Sequence, residues 1–270
     1  MCALALAVVF FDVGCSLSFE TGPFQGGDDG GPDGLPSNEA GIPDSDAGST
    51  NDGDADTGTP PKQQPPKFIS ASTDSRSGSS AFNVARPANT AQGDLLVAAV
   101  YVKDSDNTIT FPTGWSVIDQ RSLPECEGFT TWAYHLVGSS EPSTYTVGIT
   151  FTRDLQEIAI VAYRGVDRSR PIGPHNVTPY KSTLLYGPVT LTTDQPNQTL
   201  LLMASNKAGT GWSVPSGMQT PAPVNTNVLG IFDEPRPNAG ATDPRTAVSS
   251  GTSADSCGDV ALVALRPAPL

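Results

Sequence analysis

An unbroken apolar run, Ile158 to Tyr163, sits inside Leu155–Asp167 (LQEIAIVAYRGVD). It ends on Arg164-Gly165-Val166-Asp167, and Pro171 follows soon after. A short apolar run rich in β-branched residues and closed by turn residues reads as a central strand buried on both faces. Leu95–Val102 (LLVAAVYV) and Val260–Leu265 have the same character. The polar residues at the end of the opening run, Arg164 and Asp167, read as a clamp on the following loop.

The rest of the body supplies partners for these strands. Thr144–Thr152 is the clearest: Tyr145, Val147, Ile149 and Phe151 alternate with threonines and Gly148. That period of two marks a strand with one wet face. Shorter strand-like runs are Phe68–Thr73, Ser80–Ala85, Thr108–Phe111, Trp115–Gln120, Phe129–Val137, Val189–Thr193, Leu200–Ala204 and Val228–Phe232. No window shows a capped helical period. The expectation is an all-β fold, a β-sandwich or jelly-roll-like domain over 67–270. Asp94–Ala99 is echoed by Thr199–Ala204, and Phe111–Trp115 by Val214–Met218. The echo suggests an internal duplication, each half supplying one arm of the sandwich.

Charge divides the chain. Residues 1–60 hold 11 acidic residues and no Lys or Arg, which leaves 17 acidic against 15 basic in the remainder. No basic patch answers to phosphate neutralisation, so nucleic acid is excluded as a partner. Residues 16–66 are dominated by Gly, Pro, Asp, Ser, Asn and Thr. Such a segment buries too little apolar surface to offset its chain entropy and reads as a disordered acidic linker. Asp52-Gly53-Asp54-Ala55-Asp56 starts with calcium-loop spacing, but Thr57 and Gln63 replace the required Gly and Glu. A solvated tether is the better reading.

Ala3–Phe11 is an apolar run of nine residues, too short to span a bilayer. It suits the core of an export signal, with residues 1–15 as the signal-like segment. Val13-Gly14-Cys15 resembles the lipobox of bacterial lipoproteins, although Asp12 and the lack of an early Lys or Arg depart from it. The resemblance implies lipidation of Cys15, membrane contact through that anchor only, and an outer-membrane or cell-surface location, with plain secretion as the alternative. Once Cys2 and Cys15 are set aside with the signal, Cys126 and Cys257 are left as a candidate disulfide of an exported body.

Further order lies in Gly93-Asp94-Leu95-Leu96-Val97, Pro112-Thr113-Gly114-Trp115, Trp132-Ala133-Tyr134-His135, Glu141-Pro142, Tyr145-Thr146-Val147 and Ala162–Asp167. This order resembles a β-sandwich module of bacterial secreted or surface proteins and phage tail-associated proteins. The resemblance implies an extracellular interaction module and carries no catalytic residues.

Candidate chemistry is sparse. His135 reads as a packed strand residue and His175 as part of the Pro-rich loop Pro171–Asn176, with no neighbours at zinc-ligand spacing. No nucleophile elbow is present. Asp119, Glu125, Glu127, Asp154 and Glu157 are the acids from which a glycoside-cleaving pair would have to come. Trp115, Trp212 and Trp132 are the aromatic candidates for stacking on a sugar. Asp104 and Asp106, in an oxygen-rich loop, are weak calcium candidates. No catalytic residue or obligatory cofactor is expected. The leading expectation is a surface-anchored adhesion or binding module with an unidentified surface ligand or glycan as partner. The alternatives are a structural subunit of an envelope or tail-like assembly and, third, a carbohydrate-active hydrolase. Function is expected in the loops around 104–115, 121–128 and 205–218.

Overall fold

A computed structural model describes residues 62–150, 155–221 and 226–270. The signal-like segment with Cys15, the linker through residue 61 and Asp154 lie outside the described residues.

The three apolar runs are central strands. β3 (Leu95–Val102) lies between β8 (Gln156–Arg164) and β6 (Gly128–Leu136), antiparallel to both. Every residue of β3 is buried. β1 (Lys67–Arg76) and β5 (Ser116–Leu123) complete a five-stranded sheet ordered β1-β8-β3-β6-β5. A smaller sheet, β2-β7-β4, is built from β2 (Ala81–Ala85), β4 (Ile109–Thr110) and β7 (Thr144–Ile149). Its Phe82, Val84, Tyr145 and Val147 pack on the face formed by Leu96, Ala98, Val100, Ile158 and Ile160.

The second half follows the same path. Its strands are β9 (Ile172–Lys181), β10 (Leu185–Val189), β11 (Thr192–Thr193), β12 (Gln198–Ser205), β13 (Trp212–Ser213), β14 (Leu229–Arg236), β15 (Gly240–Ala241), β16 (Arg245–Ser249) and β17 (Cys257–Leu265). They form a large sheet, β9-β17-β12-β14, and a small one, β10-β16-β13, with β11 and β15 as a short ribbon. An isolated bridge, Gln219↔Asp233, stands where β5 pairs with β6 in the first half. Each half is therefore a two-sheet unit with a jelly-roll strand order, and the halves pack through their large sheets. Leu95, Val97, Ala99, Val161 and Tyr163 meet Leu201, Met203, Ile231, Ala261 and Val263 in that central layer. This layering is why β3, β8, β12 and β17 are apolar on both faces: each large sheet is covered on one side by its own small sheet and on the other by the opposite half.

Local details repeat as well. Asp94 accepts a hydrogen bond from the Ala91 amide, and Gln198 from that of Gln195. Gly93 and Asn197 both take positive φ before their strands. Trp115 N–H donates to the Pro112 carbonyl and Met218 N–H to that of Pro215, closing matching turns. The match sets Asp94 against Gln198, not against Thr199 as the sequence echo has it. A shift of one residue would turn Leu95 from the central layer to the outer face, because side chains alternate along a strand.

Several strands differ from the sequence reading: Val189–Thr193, expected as one strand, is divided between the end of β10 and the short β11. Residues 172–176 belong to β9, not to a loop. β9 pairs only with β17, so Pro174 and Pro179 sit on a sheet edge, where a missing N–H is tolerated. β16 has no long apolar run and draws its burial from Tyr186 and Trp212. Beyond the strands, Val166 bridges to Pro267, so the chain ends of β8 and β17 pair with one another. Cys126 and Cys257 form a disulfide with a Cα–Cα distance of 5.2 Å, joining the turn Pro124–Cys126 to the start of β17.

Candidate functional site

A pocket of about 360 Å³ lies where the halves meet, lined by Pro65, Pro66, Phe68, Thr199, Gln219 and Asp233, with Lys67 and Pro235. Its position follows from the strands. Asp233 continues the inward-facing positions Leu229 and Ile231 of β14, so alternation turns its carboxyl toward the joint. Gln219 and Asp233 exchange backbone hydrogen bonds of 2.8 and 2.9 Å, which puts their side chains on one face. Phe68 is the β1 partner of Tyr163 and packs edge-on against it, with centroids 6.0 Å apart.

Asp233 is the unusual group. It is 2% exposed. Its Oδ2 accepts the Tyr163 hydroxyl at 2.9 Å. Its Oδ1 has no hydrogen-bond partner within the protein. Burial raises the carboxyl above its ordinary range, and Tyr163 and Gln219 offset that only in part. The Gln219 side chain also acts on this carboxyl to lower it. Burial, with the Asp233 charge and hydrogen bond, pushes the Tyr163 phenol far up, so the phenol keeps its proton and acts as a donor. A buried carboxylate oxygen lacking a donor is costly. The pocket therefore offers a strong acceptor, a neighbouring amide and apolar walls of proline and phenylalanine.

No family model, curated protein or solved structure matches this chain.

Two other cavities carry polar groups that are partnered within the protein. One, of about 540 Å³, is lined by Gly93, Asp94, Arg164, Asp167 and Arg168. Its Arg164 and Asp94 pair with each other, and Arg168 reaches the Gln92 carbonyl at 3.4 Å. Arg164 grips both oxygens of Asp94 at 2.9 and 2.8 Å, and Asp167 accepts the Ser169 and Arg170 amides. Arg164 therefore pairs across the half with Asp94, and Asp167 holds its own loop. A third cavity, about 340 Å³ beside the disulfide, carries the Lys181–Glu125 ion pair at 2.7 Å.

The aromatic candidates are placed differently from one another. Trp132 lies in the central layer with no exposed surface. Trp212 is 7% exposed, set edge-on to Tyr186 in space that a side chain at Gly230 would fill. Neither ring offers a face to a sugar. Trp115 is half-buried and stacks on Phe111 at 5.1 Å and on the His135 ring at 5.4 Å. His135 in turn contacts the Gly114 carbonyl and a Glu141 carboxyl oxygen, each at 2.8 Å. Burial works against Glu141, but the Gly138 amide, His135 and Tyr145 hold its carboxyl below the usual range. This cluster pins the 112–115 turn.

The acids are scattered. Asp119 pairs with Arg121, Glu125 with Lys181, and Glu157 is buried between the halves. Asp104 accepts the Asp106 amide in a turn. Among the described residues, no group of three or more His, Cys, Asp or Glu is placed to hold a metal ion. Of the loops expected to carry function, only Gln219, just past 205–218, reaches the Asp233 pocket. Asp233 was readable as an inward-facing acid from the alternation Leu229-Ile231-Asp233. Its partners were not, because they come from distant strands.

Proposed function

We propose that this chain is an exported binding module, held at a cell surface through its N-terminal segment, that takes a hydroxyl-rich ligand of glycan type in the Asp233 pocket. The observation that carries the reading is the buried Asp233 Oδ1, an acceptor without a donor beside a cavity between the two halves. A sugar hydroxyl supplies the missing donor, and Gln219 can both donate and accept toward its neighbour. The Cys126–Cys257 disulfide supports export, since such bonds persist in oxidising compartments.

Calorimetric titration with a panel of saccharides tests the ligand. Asp233→Asn places an amide donor where the acceptor stood and should weaken binding by about tenfold or more, the worth of a charge-assisted hydrogen bond. Trp115→Ser should leave affinity within about twofold of the parent, because Trp115 is outside the pocket. Binding untouched by Asp233→Asn, or no binding across the panel, removes the glycan reading. Detergent partitioning of Cys15→Ala tests the anchor: the parent enters the detergent phase and the variant stays in water.

A further inference from the structure

We propose that Gln63–Pro66 is a removable strap that closes the Asp233 pocket, so that pulling on the chain from its N-terminal side opens the site. This rests on the reading of that pocket as a binding site. Pro65 and Pro66 form one of its walls. The strap belongs to no strand. Pro65 and Pro66 have no N–H, so these two residues donate no backbone hydrogen bond. Two side-chain hydrogen bonds fasten it to the second half: Gln63 Nε2 to the Ala268 carbonyl at 3.0 Å, and Thr199 Oγ1 to the Pro66 carbonyl at 2.7 Å. The next residue, Lys67, begins β1, which pairs with β8 along its length in the first half. The strap therefore crosses from one half to the other.

Strength differs sharply on the two sides of Lys67. β1 is held by an antiparallel ladder with one irregularity after Phe68, whereas the strap is held by two side-chain hydrogen bonds and the burial of Pro66. Tension arriving from residues before 62 would load the strap before β1. Peeling it away removes the Pro65–Pro66 wall and uncovers Asp233, whose Oδ1 is otherwise sealed from solvent. The site then opens and closes at rest, and load on the tether shifts that equilibrium toward the open state.

The test needs no ligand. In the full-length protein, carboxyl groups are coupled to a small amine with a carbodiimide and the sites are read by mass spectrometry. In the Gln63→Ala/Thr199→Val double variant, labelling of Asp233 should rise by roughly 25-fold, as each lost hydrogen bond shifts opening by roughly fivefold. Asp259, buried elsewhere between the halves, should not change. Thr199→Ser keeps the hydroxyl and should label like the parent. Near-UV circular dichroism checks the fold. If the double variant does not fold, Gln63→Ala alone should give a rise of roughly fivefold. Unchanged Asp233 labelling in a folded variant overturns the strap, as does an equal rise at Asp259. The saccharide titration is independent of this. Raised Asp233 labelling with no saccharide bound keeps the strap and removes the glycan. Unchanged labelling with saccharide binding intact does the reverse.

Discussion

Glu157 and Asp259 hold equivalent places in the two halves, and each reaches across the joint. Glu157 accepts the Thr226 hydroxyl at 2.6 Å and the Val228 and Leu229 amides at 3.2 Å, all at the start of β14. Asp259 accepts the Thr130 hydroxyl of β6 at 2.6 Å and the Ser205 hydroxyl at 2.8 Å. Each half thus buries one acid in the other. Burial raises both carboxyls, and the donors offset it only in part.

This arrangement makes stability depend on pH in a stated direction. Burial lifts Asp259 from an ordinary 3.8 to about 6, against the pull of Thr130, Ser205 and Arg121 and with a small push from Asp119. The folded state therefore holds a proton that the unfolded chain releases. Stability from this group is complete below about pH 4 and is lost as pH rises through about 6, a change on the order of 3 kcal/mol. Urea unfolding at pH 5 and pH 7.5 should show the parent weaker at the higher pH. Asp259→Asn should flatten the difference, leaving a residual slope of the same sign from Glu157 and Asp233. Equal slopes in parent and variant would remove Asp259 as the cause.

The disulfide closes the same joint from another side. Cys126 and Cys257 are 131 residues apart in sequence and pack with Leu123. Replacing both by alanine should cost about 2–5 kcal/mol, mostly through the freed unfolded chain. Thermal melting with and without reductant measures it: the parent's midpoint should fall on reduction, and the variant's should not respond.

Gly258, directly after Cys257, faces the carbonyl of Ser205 so closely that a Cβ would fall on that oxygen. Neither group is a flexible side chain, so neither can swing aside. Gly258→Ala should cost about 3 kcal/mol or prevent folding. Gly165→Ala is the comparison at open space, where the only penalty is the positive φ. Expression yield and urea midpoints rank the two, and equal losses would contradict the close approach.

The aromatic cluster should answer as structure. Glu141→Gln weakens the contacts with His135, Tyr145 and the Gly138 amide, and should cost about 1–3 kcal/mol. Because these donors hold the Glu141 carboxyl low, its contribution is present above the ordinary carboxylate range and is lost as pH falls from that range through the lower folded value. Trp115→Ala should cost about 3 kcal/mol. Denaturation of both variants at pH 7 checks the magnitudes. A stable Trp115→Ala protein would return Trp115 to the list of binding residues.

The sequence by itself determined the all-β class and the central strands. Leu95–Val102, Ile158–Tyr163 and Val260–Leu265 are apolar at every position, short, rich in β-branched residues and closed by turns, as strands covered on both faces are. It also isolated Cys126 and Cys257 as the pair available to the body. It did not reveal β9, whose two prolines look like a loop until an edge position makes them harmless. The tertiary structure alone decided what covers each face: the outer faces go to the small sheets and the inner faces to the other half. It alone assembled the candidate site as well. Asp233 meets Tyr163 from 70 residues away, and Thr199 meets Pro66 from 133 away. Local pattern reports whether a side chain is turned inward, through the strand period of two. It carries no record of which distant strand will stand opposite, and that choice left Asp233 Oδ1 without a donor beneath the Gln63–Pro66 strap.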